Sequence, residues 1–115
     1  MFICVLIRFK TKKLEKLANS GRTAVKVLGA LSAKKLRARL DDMDSAEFLE
    51  DFRWLPGRCH ELTGNLKGSL ALDLHGGRRI VFEPDHDPVP TKEDTGLDWT
   101  QVTAILITEM TDYHD

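Results

Sequence analysis

The chain has 115 residues, of which 42% are hydrophobic and 30% are charged, and its formal net charge at pH 7 is -1. This length and composition predict a single domain over residues 1–115 with one hydrophobic core, and exclude a disordered or repetitive chain. Two cysteines, Cys4 and Cys59, are too few for a disulfide framework and favour reduced thiols in the cytoplasm. The apolar run at 2–7 is too short to cross a bilayer and lacks signal-peptide features, so no membrane contact is expected.

The charges are distributed unevenly along the chain. Residues 8–39 carry eleven Lys or Arg residues and one acid, and residues 53–79 carry five bases and two acids. Residues 41–51 hold six acids and no base, and the chain from Glu83 onward has nine acids and one base. The two basic blocks predict a surface for an anionic partner, whereas the simpler interpretation is that helices present solvated basic faces.

The beginning of the chain predicts one strand followed by helices. Residues 2–8 are rich in β-branched and aromatic side chains, as strands are. Apolar residues at helical spacing predict a helix over 12–18, which Ser20-Gly21 should weaken or kink before the helical pattern resumes and meets Gly29.

The clearest helix is predicted over 32–43, with Ser32 as its N-cap. Its apolar residues fall on one face at Leu36, Leu40 and Met43. A further short helix is predicted from Asp44, which pairs with Glu47 in the manner of a capping box. Pro56-Gly57 should end that helix.

The second half changes to the period of strands. A short strand is expected over 58–62, and apolar residues alternate with polar ones over 70–74. Gly76-Gly77 then supplies the positive φ values of a tight two-residue hairpin turn, and the next strand runs over 79–82. The expected fold is α+β: an N-terminal strand and two or three helices packed on an antiparallel sheet.

Two further segments complete the sheet prediction. The acidic stretch 84–98 holds three prolines and is expected to be a long polar loop. Residues 102–107 are apolar at nearly every position, which predicts a central strand. The tail Asp112-Tyr113-His114 follows directly from that strand.

No motif for a nucleotide cofactor is present, and the four histidines lack metal-ligand spacing, so neither a cofactor nor a metal site is expected. What remains is a set of polar residues at strand ends: His60, Lys67, Arg79 and the tail at 112–114. A cation beside proton-transferring groups is what RNA cleavage through the 2′-hydroxyl requires. The simpler alternative is a half-buried histidine, a surface ion pair and a frayed tail.

The sequence resembles the HigB-type "killer" toxins of the RelE/ParE superfamily of bacterial toxin–antitoxin systems. The resemblance rests on an ordered series of motifs: Cys59 to Gly68, Leu70 to Leu74, Arg78 to Pro84, the Asp-Pro-Val-Pro loop at 87–90, Leu97 to Thr103, and Asp112-Tyr113-His114. It covers nearly the whole chain and is strongest from Leu55 onward.

The resemblance implies a ribosome-dependent mRNA endonuclease, the toxin of a type II system, that needs no metal. It implies His60 as an active-site histidine, Arg79 as the holder of the scissile phosphate, and Asp112, Tyr113 and His114 as the catalytic tail. The two basic blocks predict contacts with RNA and the ribosome from Lys67 and Arg78, and also from Lys34, Lys35 and Arg37 on the helix predicted over 32–43.

The partners implied are a helix-turn-helix antitoxin, the ribosome and mRNA, with operator DNA reached only through the antitoxin. Both a homodimer and a heterotetramer with antitoxin fit this pattern. The chain departs from the family at Thr63, where a lysine is typical, and its pI of about 6.4 is low for a ribosome-binding member. These departures keep a second hypothesis open: a ParE-like gyrase inhibitor, or a decayed toxin that only binds antitoxin and DNA.

Overall fold

The computed structural model describes residues 4–94 and 96–112, with the backbone alone at Thr111 and Asp112. Within these residues the chain is α+β, as predicted, with its helices packed on one five-stranded sheet. The helices are α1 (Lys12–Asn19), α2 (Gly21–Leu28), α3 (Ala30–Ser45) and a 3₁₀ helix at Leu49–Trp54. The strands are β1 (Leu6–Phe9), β2 (His60–Glu61), β3 (Leu70–Asp73), β4 (Arg78–Pro84) and β5 (Ala104–Asp112).

The sheet has the strand order β1-β5-β4-β3-β2, so β1 and β2 form its edges and β5 is interior, as predicted. The pairs from β5 to β2 are antiparallel, but β1 runs parallel to β5. The sheet is therefore mixed rather than antiparallel throughout. The physical reason is the chain path, since the residues between β1 and β5 return the chain to the end of the sheet where β1 begins.

The core lies between the helices and one face of the sheet. The apolar stripe predicted on α3 is confirmed, because Leu36, Leu40 and Met43 are all buried. They pack with apolar residues of the sheet at Leu70, Leu72, Ile80, Phe82, Ile105 and Ile107. In the part of the chain that the structure describes, no helix is long and apolar enough to cross a membrane.

The predicted break between the first two helices is confirmed. The backbone N–H of Ser20 donates to Lys16 at the end of α1, and its hydroxyl accepts from the N–H of Thr23 at the start of α2 (3.2 Å). One serine therefore ends one helix and begins the next, which explains why the apolar pattern shifts there.

The predicted N-cap of the third helix is wrong. The helix begins at Ala30 after Gly29, so Ser32 lies inside its first turn. The Ser32 side chain is buried and its hydroxyl donates to the carbonyl of His75, 3.1 Å away. Ser32 therefore links α3 to the hairpin turn and does not cap the helix.

The predicted capping pair Asp44/Glu47 is also wrong, because α3 continues to Ser45 and no helix starts at Asp44. The next helical segment is the 3₁₀ helix. Its first turn is capped by Asp51, whose carboxylate accepts from the backbone N–H groups of Glu47 (3.1 Å) and Phe48 (3.2 Å). A side chain inside the helix, not one before it, satisfies these donors.

The hairpin of β3 and β4 is confirmed, with one difference in its turn. Both Gly76 and Gly77 have positive φ (66° and 83°), which side chains larger than hydrogen rarely adopt. The N–H of Leu74 donates to the carbonyl of Arg78 (2.8 Å), so three residues rather than two, 75–77, lie inside the last hydrogen-bonded pair of the hairpin. The segment predicted as a strand over 58–62 is reduced to the two residues of β2.

A β-bulge lies where β4 meets β5. Phe82 pairs with Ile107 but Val81 pairs with Glu109, so Thr108 is the extra residue, and its hydroxyl donates to the carbonyl of Val81 (3.3 Å). Because the register shifts by one residue, Asp112 lies opposite Arg78 rather than opposite Gly77, the partner that the unshifted register would give.

Candidate functional site

The two faces of the sheet have different surroundings. Leu70, Leu72, Ile80 and Phe82 belong to the core under the helices. Side chains alternate along a strand, so His60, Ala71, Asp73, Arg79 and Val81 lie on the opposite face, which we call the outer face. Ala71 and Val81 are fully buried yet are not part of the core cluster, in agreement with this assignment.

The outer face carries two neighbouring rows of residues. One row runs from His60 on β2 across Ala71 and Val81 to Glu109 on β5. The next row places Asp73 on β3 beside Arg79 on β4. From strand spacing and residue rise, the Cα atoms of His60 and Arg79 are about 12 Å apart. Two long polar side chains at this separation can approach a phosphodiester from two sides.

His60 has a defined orientation in this row. Its Nδ1 lies 2.7 Å from the backbone carbonyl oxygen of Arg58. A carbonyl can only accept, so the proton of the neutral imidazole is on Nδ1 and the lone pair is on Nε2. The ring is half-buried. The structure therefore gives His60 a single basic nitrogen, Nε2, which is the atom a general base needs.

Arg58 combines an unusual backbone conformation with a cross-strand ion pair. Its φ of +53° makes it the one non-glycine residue of left-handed backbone conformation in the described ranges. Its Nε also donates to a carboxylate oxygen of Asp73, 3.1 Å away. Asp73 is the cross-strand neighbour of Arg79, so a polar chain links His60, Arg58 and Asp73 to the position of Arg79.

Residues 56–58 pass close to α3, and glycine is required there. A Cβ atom on Gly57 would lie 2.8 Å from Nε of Arg39 and 3.1 Å from a methyl of Leu72. The carbonyl of Gly57 accepts from the N–H of Asp73 (2.7 Å), which continues the pairing of β2 with β3. Gly57 therefore lets the turn pack tightly, immediately before the left-handed Arg58.

The remaining predicted catalytic residues are only partly within the described chain. The backbone of Asp112 pairs with Arg78 at the end of β5, and Arg79 pairs with Thr111. Tyr113 and His114 lie outside the described residues. Arg78 belongs to the helix side of the sheet by alternation from Ile80, so the two adjacent arginines are on opposite faces.

The basic residues predicted to bind RNA from α3 are not on the outer face. Lys34, Lys35 and Arg37 are exposed on the helix layer. Arg37 has a structural role as well, because it pairs with Asp41 (2.9 Å) and donates to the carbonyl of Ala18 at the end of α1 (3.3 Å). In the described ranges no lysine takes part in an ion pair, so the lysine charges stay available to a polyanion.

Lys67 lies apart from the His60–Arg79 pair. It lines a cleft of about 720 Å³ between the β2–β3 connection and the acidic loop after β4. Thr63, which stands in place of the family lysine, lines the same cleft, whereas neither His60 nor Arg79 does. Lys67 is therefore not positioned as a direct substitute for that lysine.

The acidic segment 84–98 is held in place by several hydrogen bonds. The N–H of Asp85 donates to the carbonyl of Ala104 (2.8 Å), and Nε2 of His86 accepts from the N–H of Thr103 (3.1 Å). Asp85 also pairs with Arg8 on β1 at 2.6 Å, and the Arg8 hydrogen bond holds the pKa of this carboxyl below its usual value. Part of the negative charge of this loop is therefore neutralised by β1.

Sequence reasoning missed two members of the site, Arg58 and Asp73. Asp73 was visible only as the polar position of an alternating strand. The Pro56-Gly57 pair indicated a turn, but nothing in the sequence indicated that Arg58 would take the left-handed conformation. Both roles depend on how β2 and β3 pair.

Neither comparison with known proteins assigns a family. No family model matches the sequence, and curated proteins give no match either. The resemblance to HigB-type toxins stays a prediction from the motifs quoted above. Among the described residues, no group of three or more His, Cys, Asp or Glu side chains is arranged to hold a metal ion.

Cys59 precedes His60 but lies on the core side, packed against apolar residues. Burial raises the pKa of Cys59 to about 12, and the nearby positive charge of Arg53 offsets only part of that increase. The thiol is therefore protonated at neutral pH, which argues against a nucleophilic role.

This pKa predicts a loss of stability in alkali. The unfolded thiol titrates near 9.0 and the folded one near 12, so the unfolded state releases its proton first as the pH rises. The free energy of unfolding should fall through this window in the wild type, and less steeply in Cys59→Ala. Urea unfolding from about pH 8 to about pH 11 measures it. Cys4→Ala, at an exposed thiol, is the control and should keep the wild-type slope.

Proposed function

We propose that the protein is an RNA endonuclease, the toxin of a type II toxin–antitoxin system, which cleaves ribosome-bound mRNA in the cytoplasm and is neutralised by a helix-turn-helix antitoxin. The observation that carries the proposal is the outer-face pair of His60 and Arg79. His60 offers one basic nitrogen, and Arg79 lies across the strands on the same face. The sequence resemblance assigns roles in RNA cleavage to these same two residues.

The proposed reaction uses the substrate's own 2′-hydroxyl. Nε2 of His60 takes the proton, the 2′-oxygen attacks phosphorus, and the bond from phosphorus to the 5′-oxygen breaks. The products are a 2′,3′-cyclic phosphate and a 5′-hydroxyl. Arg79 neutralises the negative charge that grows on the phosphoryl oxygens. The proton delivered to the leaving 5′-oxygen is assigned to the segment Asp112-Tyr113-His114 by the resemblance alone.

An exposed tryptophan offers a place for a nucleobase. Trp54 is 81% exposed, unlike Trp99, which is 4% exposed in the core. Three residues separate it from Arg58, so their Cα atoms are at most roughly 14 Å apart. Exposed aromatic rings stack on the bases of single-stranded RNA. Among the large apolar side chains of the described residues, Trp54 is the most exposed.

The test is expression of the chain alone in bacteria, beside Arg79→Ala and a matched control, Arg22→Ala. Arg22 is exposed on α2, away from the sheet. The wild type and Arg22→Ala should arrest growth and leave mRNA fragments with 5′-hydroxyl ends, whereas Arg79→Ala should do neither. Growth of all three strains with intact mRNA would refute the proposal.

The gyrase hypothesis predicts a different outcome. A ParE-like inhibitor does not need to stabilise a scissile phosphate, so the wild type and Arg79→Ala would both induce a DNA-damage response without mRNA fragments. Thr63 in place of the family lysine is the observation that keeps this hypothesis in view. The same cultures, probed for DNA breaks as well as for RNA ends, decide between the two.

A further inference from the structure

We propose that Arg58 is a positioning residue whose left-handed backbone directs its carbonyl at Nδ1 of His60 and so keeps the lone pair of His60 on Nε2. This inference rests on the proposed function for its consequence in catalysis. The tautomer of His60 can be measured whether or not the protein cleaves RNA.

The first observation is the backbone conformation. Left-handed backbone is disfavoured for a non-glycine L-residue, and such residues cluster at functional sites. Arg58 has no Asn- or Asp-like side chain to offset that cost locally, and its φ is +53°. The conformation persists because Gly57 is bonded to Asp73 on one side and His60 is paired with Ala71 on the other.

The second observation is where the Arg58 groups point. The carbonyl lies 2.7 Å from Nδ1 of His60, the short end of the hydrogen-bond range. The guanidinium reaches Asp73 on the adjacent strand (3.1 Å), which anchors the residue from its other end. One residue therefore joins the imidazole of β2 to the carboxylate of β3.

The consequence is a choice of tautomer. An imidazole without this bond populates both neutral tautomers, and only the form with its proton on Nδ1 has Nε2 free to accept. Removing the hydrogen bond should redistribute the proton between the two nitrogens by about fivefold. A general base that presents the wrong nitrogen cannot take the 2′-hydroxyl proton.

Two substitutions separate the backbone of Arg58 from its side chain. Arg58→Gly keeps the left-handed conformation without strain and removes the side chain with its guanidinium. Arg58→Val keeps neither, because a β-branched residue is strongly disfavoured at positive φ. Asp73→Asn removes the charge that anchors the guanidinium but preserves the shape of the carboxylate. Circular dichroism and thermal unfolding establish that each variant is folded before its His60 tautomer is measured.

The readout is the pair of ¹⁵N chemical shifts of the His60 ring, measured where the imidazoles are neutral. The wild type, Arg58→Gly and Asp73→Asn should show the proton on Nδ1, and Arg58→Val should show a mixture. His86 is an internal control, because its Nε2 accepts from Thr103 and its tautomer should not change in any variant. If Arg58→Val retains the Nδ1 proton, or Arg58→Gly loses it, the proposal is wrong.

The RNA assay then distinguishes the two proposals. Cleavage by Arg58→Val should be slower than by Arg58→Gly by up to about fivefold, because a fivefold change in the tautomer ratio lowers the population with Nε2 free by at most that factor. Cleavage by the wild type with equal rates for both variants would overturn the positioning role alone. Absence of cleavage by the wild type would overturn the proposed function, and the ring-nitrogen shifts would still decide the role of Arg58.

Discussion

His60→Ala is expected to lower the rate of mRNA cleavage by about 10²- to 10⁴-fold, the usual contribution of a general base. The substitution removes the one nitrogen that the hydrogen bond from Nδ1 to Arg58 leaves available on this ring. Because the side chain is half-buried at a sheet edge, we expect the fold to survive. Single-turnover cleavage of ribosome-bound mRNA measures the effect without a contribution from product release.

His75→Ala is the matched control for this experiment. It is the same substitution, made at an exposed histidine in the β3–β4 turn. The hydrogen bonds there use the backbone carbonyl of His75, which accepts from the Ser32 hydroxyl and from the N–H of Arg78. Its cleavage rate should equal that of the wild type. Equal rates for all three proteins would exclude His60 as the base, and a loss in both variants would indicate a general effect on the hairpin instead.

Phe82→Ala is expected to lower the free energy of unfolding by about 3–5 kcal/mol, a large part of the total for a domain of this size. Phe82 is 0% exposed at the centre of the core, and its ring packs edge-on against Phe52 with 5.9 Å between centroids. The loss combines the burial free energy of the deleted ring with the cost of the cavity that alanine leaves. Urea unfolding followed by circular dichroism measures it, with a shift in the midpoint at constant slope.

Phe48→Ala makes the same change where the ring is 38% exposed. Its backbone N–H bonds to Asp51 and is unaffected by truncation of the side chain. We therefore expect a smaller loss than in Phe82→Ala, because more than a third of Phe48 is already exposed in the folded state and no edge-on ring contact is removed. Comparable losses in the two variants would show that the core is not organised around Phe82.

Local patterns in the sequence were sufficient for most of the elements. The alternation at 70–74, the glycine pair in the turn and the stripe on α3 are short-range signals, because hydrophobic period and glycine conformation act over a few residues. The α+β class followed from them. The roles of serine and acidic residues in caps were less predictable: Ser32 and Asp51 bond to groups that the predictions did not consider.

The candidate site was predictable in its residue types and less so in its arrangement. His60 and Arg79 were identified from their places at strand ends, and they share the outer face. Lys34 and Lys35 lie on the helix layer and Lys67 lies in a separate cleft, because charge runs in a sequence carry no information about which layer an element joins. The residue that orients His60 is Arg58, whose left-handed conformation no local pattern indicated.

The sequence by itself determined the elements, their order and the types of side chain available for chemistry, since these depend on neighbours along the chain. The tertiary structure decided the register of the strand pairs and the face of the sheet on which each side chain lies. The bulge at Thr108 moves the partner of Asp112 from Gly77 to Arg78, and the pairing of β2 with β3 brings Arg58 to Asp73. Both are outcomes of packing between distant segments, where one residue of register moves a side chain to the other face of the sheet.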